Sequence, residues 1–221
     1  MPYGEVLMAL GNASTKLPFA DASTRSKLLR AGLRQFAEHG FEGTSVRDVT
    51  KEAGVNLASV NYYFGSKESL YHAVVSDTFN SIREERLQLL TLCNTLPDDH
   101  PELVERLLYA MIAPQIRLLK RPDGRDYNRV LTRLLSEHKD LTRRVYLEDI
   151  DPVRRLFVSE FRRALPTLSD ESLFRCFSYA TTLMVTSVED AGYETLLGKS
   201  PQPPDSDIFT EELIRFLAAG F

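Results

Sequence analysis

A chain of 221 residues is long enough for one small and one medium-sized domain with a buried core. Its 43% hydrophobic and 26% charged residues exclude a disordered, fibrous or membrane-embedded class. The formal net charge of −4 argues by itself against a nucleic-acid binder, but the charge is unevenly spread. Residues 21–67 carry seven Lys/Arg against five Asp/Glu, and residues 68–221 carry 19 against 25. A modestly basic head therefore sits on an acidic body, as suits a protein that meets a polyanion with one end only.

Residues 1–20 read as a flexible arm. The apolar patch Val6–Leu10 is preceded by no Lys or Arg and is too short for a signal peptide. Cys93 and Cys176 lie far apart with no CxxC pair, so they read as small core hydrophobes in a reduced, cytoplasmic setting. The longest uncharged run, Cys176–Val188, is 13 residues and cannot span a bilayer. No membrane partner is expected.

A first amphipathic helix begins near Thr24 and buries Leu29, Leu33 and Phe36. Ser45 then caps a short helix, with Asp48 three residues on as an acidic variant of the capping box. Val46, Val49 and Ala53 give that helix one buried stripe, and Gly54 supplies the left-handed residue that ends it. Asn56 caps the next helix, which buries Val60 and Phe64 and stops near Gly65. Ser66 caps a third beginning at Lys67 and Glu68. Two short helices joined by three or four residues including Gly form a helix-turn-helix, whose second helix enters a major groove.

Helical spacing continues to the end of the chain. A long helix is predicted over about 67–93, a turn at Pro97–His100, and a helix opened by Pro101 that Pro114 should kink. Arg121–Gly124 is a turn, followed by helices at about 125–137 and 140–165. Ser169 caps a helix expected to reach about Leu197. Pro201, Pro203 and Pro204 form a stiff linker before a last helix over about 206–219. No alternating run reads as a strand, and there is no internal repeat.

Enzyme chemistry finds little support. Gly192–Ser200 resembles a phosphate-binding loop, but it has five residues between its glycines and leads into prolines instead of joining a strand to a helix. His39, His72, His100 and His138 show no metal-ligand spacing, and G-x-S-x-G and HExxH are absent. Glu137-His138 and Glu148-Asp149 read as solvated helix surface. Neither metal, cofactor nor catalytic residue is expected.

The run from Thr24 to about Leu70 resembles the N-terminal domain of the TetR family of transcriptional regulators. The likeness rests on Phe36-Ala37-Glu38-His39-Gly40-Phe41, then Thr44-Ser45, then Ala53-Gly54-Val55, then Tyr63-Phe64 with Ser66-Lys67-Glu68 and Leu70. It covers roughly a fifth of the chain, and as an ordered set it is specific. Asn61 departs from the pattern: the family usually has a phosphate-contacting tyrosine there, and here Tyr62 and Tyr63 follow instead. The candidate DNA-contacting residues are Arg25, Lys27, Ser45, Arg47, Ala58, Ser59, Asn61, Tyr62, Tyr63 and Lys67. Asn61 and Ser59 can hydrogen-bond base edges or phosphate, Ala58 permits close approach, and the tyrosines can donate to phosphates. Lys67 stands at a helix N-terminus that already favours an anion.

The resemblance implies an all-α protein: a three-helix DNA-binding domain over 21–66 and a helical effector-binding and dimerisation domain over 67–221. The helices near 169–197 and 206–219 carry apolar residues around most of their circumference. They either form a four-helix homodimer interface or complete the monomer core. In the family a small molecule bound among the later helices tilts the helix after the motif. The apolar candidates for such a site are Phe79, Leu107, Met111, Leu134, Phe157, Phe161, Phe177, Thr181 and Met184. A fainter likeness to a fatty-acid-responsive branch lies in GVNLASVNYYFGSKESL, Arg133-Leu134-Leu135 and Tyr146-Leu147-Glu148-Asp149. It implies a fatty acid or acyl derivative as effector, with Arg133 facing its carboxylate. The expected function is a repressor that binds a palindromic double-stranded operator as a dimer and is released by a small apolar ligand. A helical adaptor or scaffold without DNA binding is the alternative from another class, and an all-α enzyme with a cryptic site a more distant one.

Overall fold

A computed structural model describes residues 23–136, 143–187 and 206–221, all built from helices and their connections. The predicted arm and the phosphate-loop look-alike fall outside those residues, as does Glu137-His138. In chain order the helices are α1 (Thr24–Gly43), α2 (Val46–Ala53), α3 (Ala58–Tyr63), α4 (Lys67–Cys93), α5 (Leu103–Leu118), α6 (Gly124–Ser136), α7 (Asp151–Ala164), α8 (Asp170–Thr186) and α9 (Ser206–Ala218).

The local stop and start signals act as their chemistry requires. Ser23, Ser45, Ser66 and Ser169 each accept a hydrogen bond from the backbone N–H three residues on, at 3.1–3.2 Å. Gly54 ends α2 at φ +64° and Gly65 follows α3 at φ +80°, conformations that a Cβ would strain. Asn56 accepts from the N–H of Ala58 at 2.9 Å, securing the turn between the two motif helices. The first helix runs past Phe41. Gly40 kinks it at φ +70° and the chain resumes helical form to Gly43.

Two apolar cores share α4. The first gathers Leu29, Leu33, Phe36, Val49 and Val60 around Leu70, Tyr71 and Val74 of the N-terminal half of α4. The Tyr71 ring meets Phe36 and Phe41 edge-on, at centroid distances of 5.0 and 5.4 Å. Tyr127 and Val130 of α6, with Val145, belong to this same core, so the head is packed onto the body. The second core joins Leu89, Leu90 and Cys93 of α4 to α5, α7, α8 and α9. Fully burying each such side chain contributes about 1.5–3 kcal/mol before ordering entropy is charged against it.

Pro114 lies inside α5, which continues through it, and is buried among α5's apolar residues. Two features of the body differ from the sequence expectation. The helix expected over 140–165 is described from residue 143 on; it is interrupted by a π-helical turn, Tyr146–Ile150, and continues as α7. The helix capped by Ser169 ends at Thr186, and residues 188–205 fall outside the described part.

Candidate nucleic-acid interface and body cavity

The helix-turn-helix presents one continuous polar face. Val60 is fully buried beneath α3, while Ala58, Asn61, Tyr62 and Tyr63 are exposed and Ser59 is half-buried. Tyr62 is 82% exposed, and its ring meets that of Tyr63 edge-on at 4.9 Å. An apolar ring held out in water to this degree contributes nothing to the core, so it is available to a partner. Lys27 on α1 and Arg47 on α2 are exposed as well. Ser45 serves first as a cap: it accepts from the Asp48 N–H and donates to the Asp48 carboxylate, a bond that holds that carboxyl below its usual range.

The remaining predicted cations are engaged within the chain. The Lys67 ammonium donates to the carbonyls of Phe41 (2.9 Å) and Thr44 (3.1 Å) and lies 4.1 Å from the centroid of the Phe41 ring. It therefore ties the end of α1 to the start of α4 and is turned away from the anion site expected at its own helix N-terminus. Arg25 is exposed, with its guanidinium 5.6 Å from the Phe64 ring centroid.

Beneath the head, α4–α8 and the π turn line a half-open cavity of about 790 Å³. Phe79, Met111, Leu134, Phe157, Phe177, Thr181 and Met184 all line it. Leu107 and Phe161 do not: both are fully buried in the surrounding core, where Phe161 stacks on Phe221 at 4.8 Å. Arg133 does not line it either. Its guanidinium donates to the carbonyls of Ala37 (2.9 Å) and Glu38 (2.8 Å) at the end of α1, so it cannot face a ligand carboxylate. Tyr146 and Ile150 of the π turn, Leu131, Val153, Gln115 and Arg86 complete much of the wall. None of these was legible as cavity-facing, because each sits in a helical pattern equally compatible with core or solvent.

Residues 28–74 match the family model described as bacterial regulatory proteins, tetR family, and residues 109–220 match the tetracyclin repressor-like C-terminal domain. The chain belongs to the TetR family of transcriptional regulators. A probable helix-turn-helix regulator of Bacillus subtilis, YttP, is 40% identical over 57 residues, which is 26% of this chain and 28% of that protein. The helix-turn-helix dual regulator CecR of Shigella flexneri is 29% identical over 116 residues, 49% of this chain and 50% of that one. The chain thus spans half or less of the length of these curated relatives. In fold, it resembles a Clostridium perfringens protein provisionally described as a fatty acid metabolism regulator (TM-score 0.64, 17% identity, 88% of this chain and 98% of that one). It also resembles Mycobacterium smegmatis AmtR (TM-score 0.59, 20% identity, 90% and 87%). The TetR family is one of transcriptional regulators, not of enzymes. Among the described residues no helix is long and apolar enough to cross a membrane.

In this TetR-family chain the head is tied to the cavity wall at identifiable points. Asp149, on the π turn, accepts a hydrogen bond from Ser76 of α4, and the neighbouring Glu148 lies 3.6 Å from His72. Glu148 is exposed and pairs with Arg144, as a solvated helix surface would, whereas Asp149 is half-buried and makes a contact between helices that was not expected. Arg133 supplies a second tie, from α6 to α1.

A third polar junction surrounds Asp77 of α4. Burial pushes its carboxyl up to about 6 against the pull of Arg25 and Arg121, and Asp123 adds to the rise. Because the folded value lies above the ordinary 3.8, the folded protein binds the extra proton between those limits. Its stabilising contribution is complete below about 4 and is lost as pH rises through about 6. Asp77→Asn should therefore raise the melting temperature at pH 7.5, and the gain should shrink on lowering the pH to 4.5. Equal gains at both values in a thermal melt would show that Asp77 ionisation does not limit stability.

Proposed function

We propose that this TetR-family regulator is a cytoplasmic repressor that binds a palindromic operator as a homodimer and is released by a small, largely apolar effector. The exposed α3 face carries this reading: Ala58, Asn61 and Tyr62 stand outward from a helix whose opposite side, at Val60, is fixed in the core. A short helix so anchored can enter a groove without losing its own support. Lys27, Arg47 and Tyr63 are the accompanying phosphate contacts, with Ser45 and Ser59 at its margin, while Lys67 and Arg25 position the head.

We divide the chain into a reading head up to residue 66 and a sensing and dimerising body from Lys67 onward. Dimerisation is supported by the apolar surface left on the last two helices. Leu213 and Leu217 of α9 are buried in the body, whereas Ile208 and Phe216 are 58% and 69% exposed, and Tyr179 of α8 is 61% exposed. Large apolar side chains exposed on these two helices are what an association surface would use. The effector reading is supported by the cavity, whose size suits a small organic ligand. Effector-driven release needs a ligand that binds the two head positions unequally; about 2.7 kcal/mol of coupling gives 100-fold.

A footprint on the DNA flanking the gene for this chain tests the reading. The expected result is a two-fold symmetric protected region with half-sites about 34–36 Å apart. Uniform, salt-sensitive binding to any duplex would remove the operator claim, and no binding at any salt would favour a helical scaffold.

A further inference from the structure

The cavity wall is strongly biased in charge. It includes Arg86, Arg143 and Arg154 and no Asp or Glu. Arg154 is already neutralised by Asp151, at 2.5 Å, and Arg143 lies at the exposed end of the wall. Arg86 is different. Only 5% of it is exposed, and among the described residues no carboxylate forms an ion pair with it. The adjacent Glu85 is paired with Arg117. One Arg86 N–H donates to the Met111 carbonyl at 2.9 Å and another reaches the Met184 thioether at 3.4 Å, a weak acceptor. Phe79 lies beneath the guanidinium at 5.8 Å from its ring centroid. Burial lowers Arg86 only to about 10, so it is a cation at neutral pH. The charge of Glu85 acts on Arg86 from a distance but is ion-paired with Arg117, so among the described residues Arg86 has no carboxylate in contact. A buried charge held that way is costly to maintain, and an anion entering the cavity would relieve that cost.

Gln115 adds an independent sign. It is 1% exposed, lines the same cavity, and stands one turn beyond Met111 on α5. Its Nε2 donates to Asn128 Oδ1 at 3.1 Å, and Asn128 Nδ2 donates to the Val185 carbonyl at 3.1 Å. That chain fixes the amide orientation and leaves Gln115 Oε1 buried with no partner. Polar groups left unmatched beside apolar walls are the signature of a site shaped for a ligand head.

We infer that the effector is an amphipathic carboxylate whose head is held by the Arg86 guanidinium, with Gln115 Oε1 accepting from a hydroxyl or water beside it and the acyl or alkyl body lying along Phe79, Phe157 and Phe177. The planar fork of Arg matches a carboxylate through two parallel hydrogen bonds, which a neutral head cannot reproduce. The inference rests on the reading of the cavity as the effector site and assigns that site its chemical class.

The test is calorimetric titration of the full chain with straight-chain carboxylic acids of about eight to sixteen carbons, each beside its methyl ester, as ligands of a size such cavities hold. The wild-type protein should bind the best acid at least about tenfold more tightly than its ester. Arg86→Met should abolish that preference, so that acid and ester bind the variant within about twofold of each other; removal of a buried charge with no ion-pair partner is compatible with folding. An ester that binds wild-type as tightly as its acid would overturn the inference without any variant, and so would Arg86→Met retaining the preference. In both cases the cavity would remain an effector site. If neither acids nor esters bind, the inference fails and the effector reading loses its support with it.

Discussion

Asn61→Asp should lower operator affinity at least 100-fold while leaving the melting temperature within about 2 °C of wild-type. Asn61 is exposed on α3 and makes no packing contribution, so a near-isosteric change there should alter stability by no more than about 0.5 kcal/mol. The new carboxylate would face phosphates or base-edge acceptors. At an effective dielectric constant near 20 and a separation of about 6 Å, like charges repel by about 2.8 kcal/mol, which corresponds to roughly 100-fold. Asn61→Ala removes a donor without adding a charge and should lose about tenfold. Gel-shift titrations of all three proteins at one fixed salt concentration make the comparison. Unchanged affinity for both variants would mean that α3 does not read DNA.

Asp149→Ala should separate sensing from release. The π turn Tyr146–Ile150 contributes Tyr146 and Ile150 to the cavity wall, while Asp149 accepts from Ser76 on α4. The cavity wall and the attachment to α4 thus lie within five residues, so a ligand that displaced the wall would pull directly on α4. Such π segments are rare and occur frequently at functional positions. Without the Asp149 carboxylate, effector and operator should each still bind within about threefold of wild-type. Release of the operator at saturating effector should fall from about 100-fold to under about tenfold, a loss of at least about 1.4 kcal/mol of coupling. Ser76→Ala, which cuts the same bond from the other side, should reproduce the loss. If both variants release DNA as wild-type does, the Arg133 tie between α6 and α1 becomes the route to test.

The reading head was legible because its signals are local. Ser45, Gly54, Asn56 and Gly65 each act on backbone groups within a few residues, and the alternation of Val49 and Val60 with polar neighbours decides which face is buried. The body's helices were legible for the same reason, from Ser66 and Ser169 as caps and from apolar spacing. What each arginine and lysine touches was not. Arg86 stands in the run Arg83-Glu84-Glu85-Arg86, which reads as solvated surface, yet it lies buried in the cavity wall. Arg133 and Lys67 were expected to meet a ligand and a phosphate, but both grip carbonyls near the end of α1.

Local composition by itself determined where helices begin and end and which helix faces outward, because capping and amphipathic burial involve neighbours along the chain. Only the tertiary structure decided which charges are buried, which are paired and where the body is hollow. Those outcomes depend on how helices distant in sequence converge, and a long cationic side chain can satisfy itself in several directions until its surroundings are set.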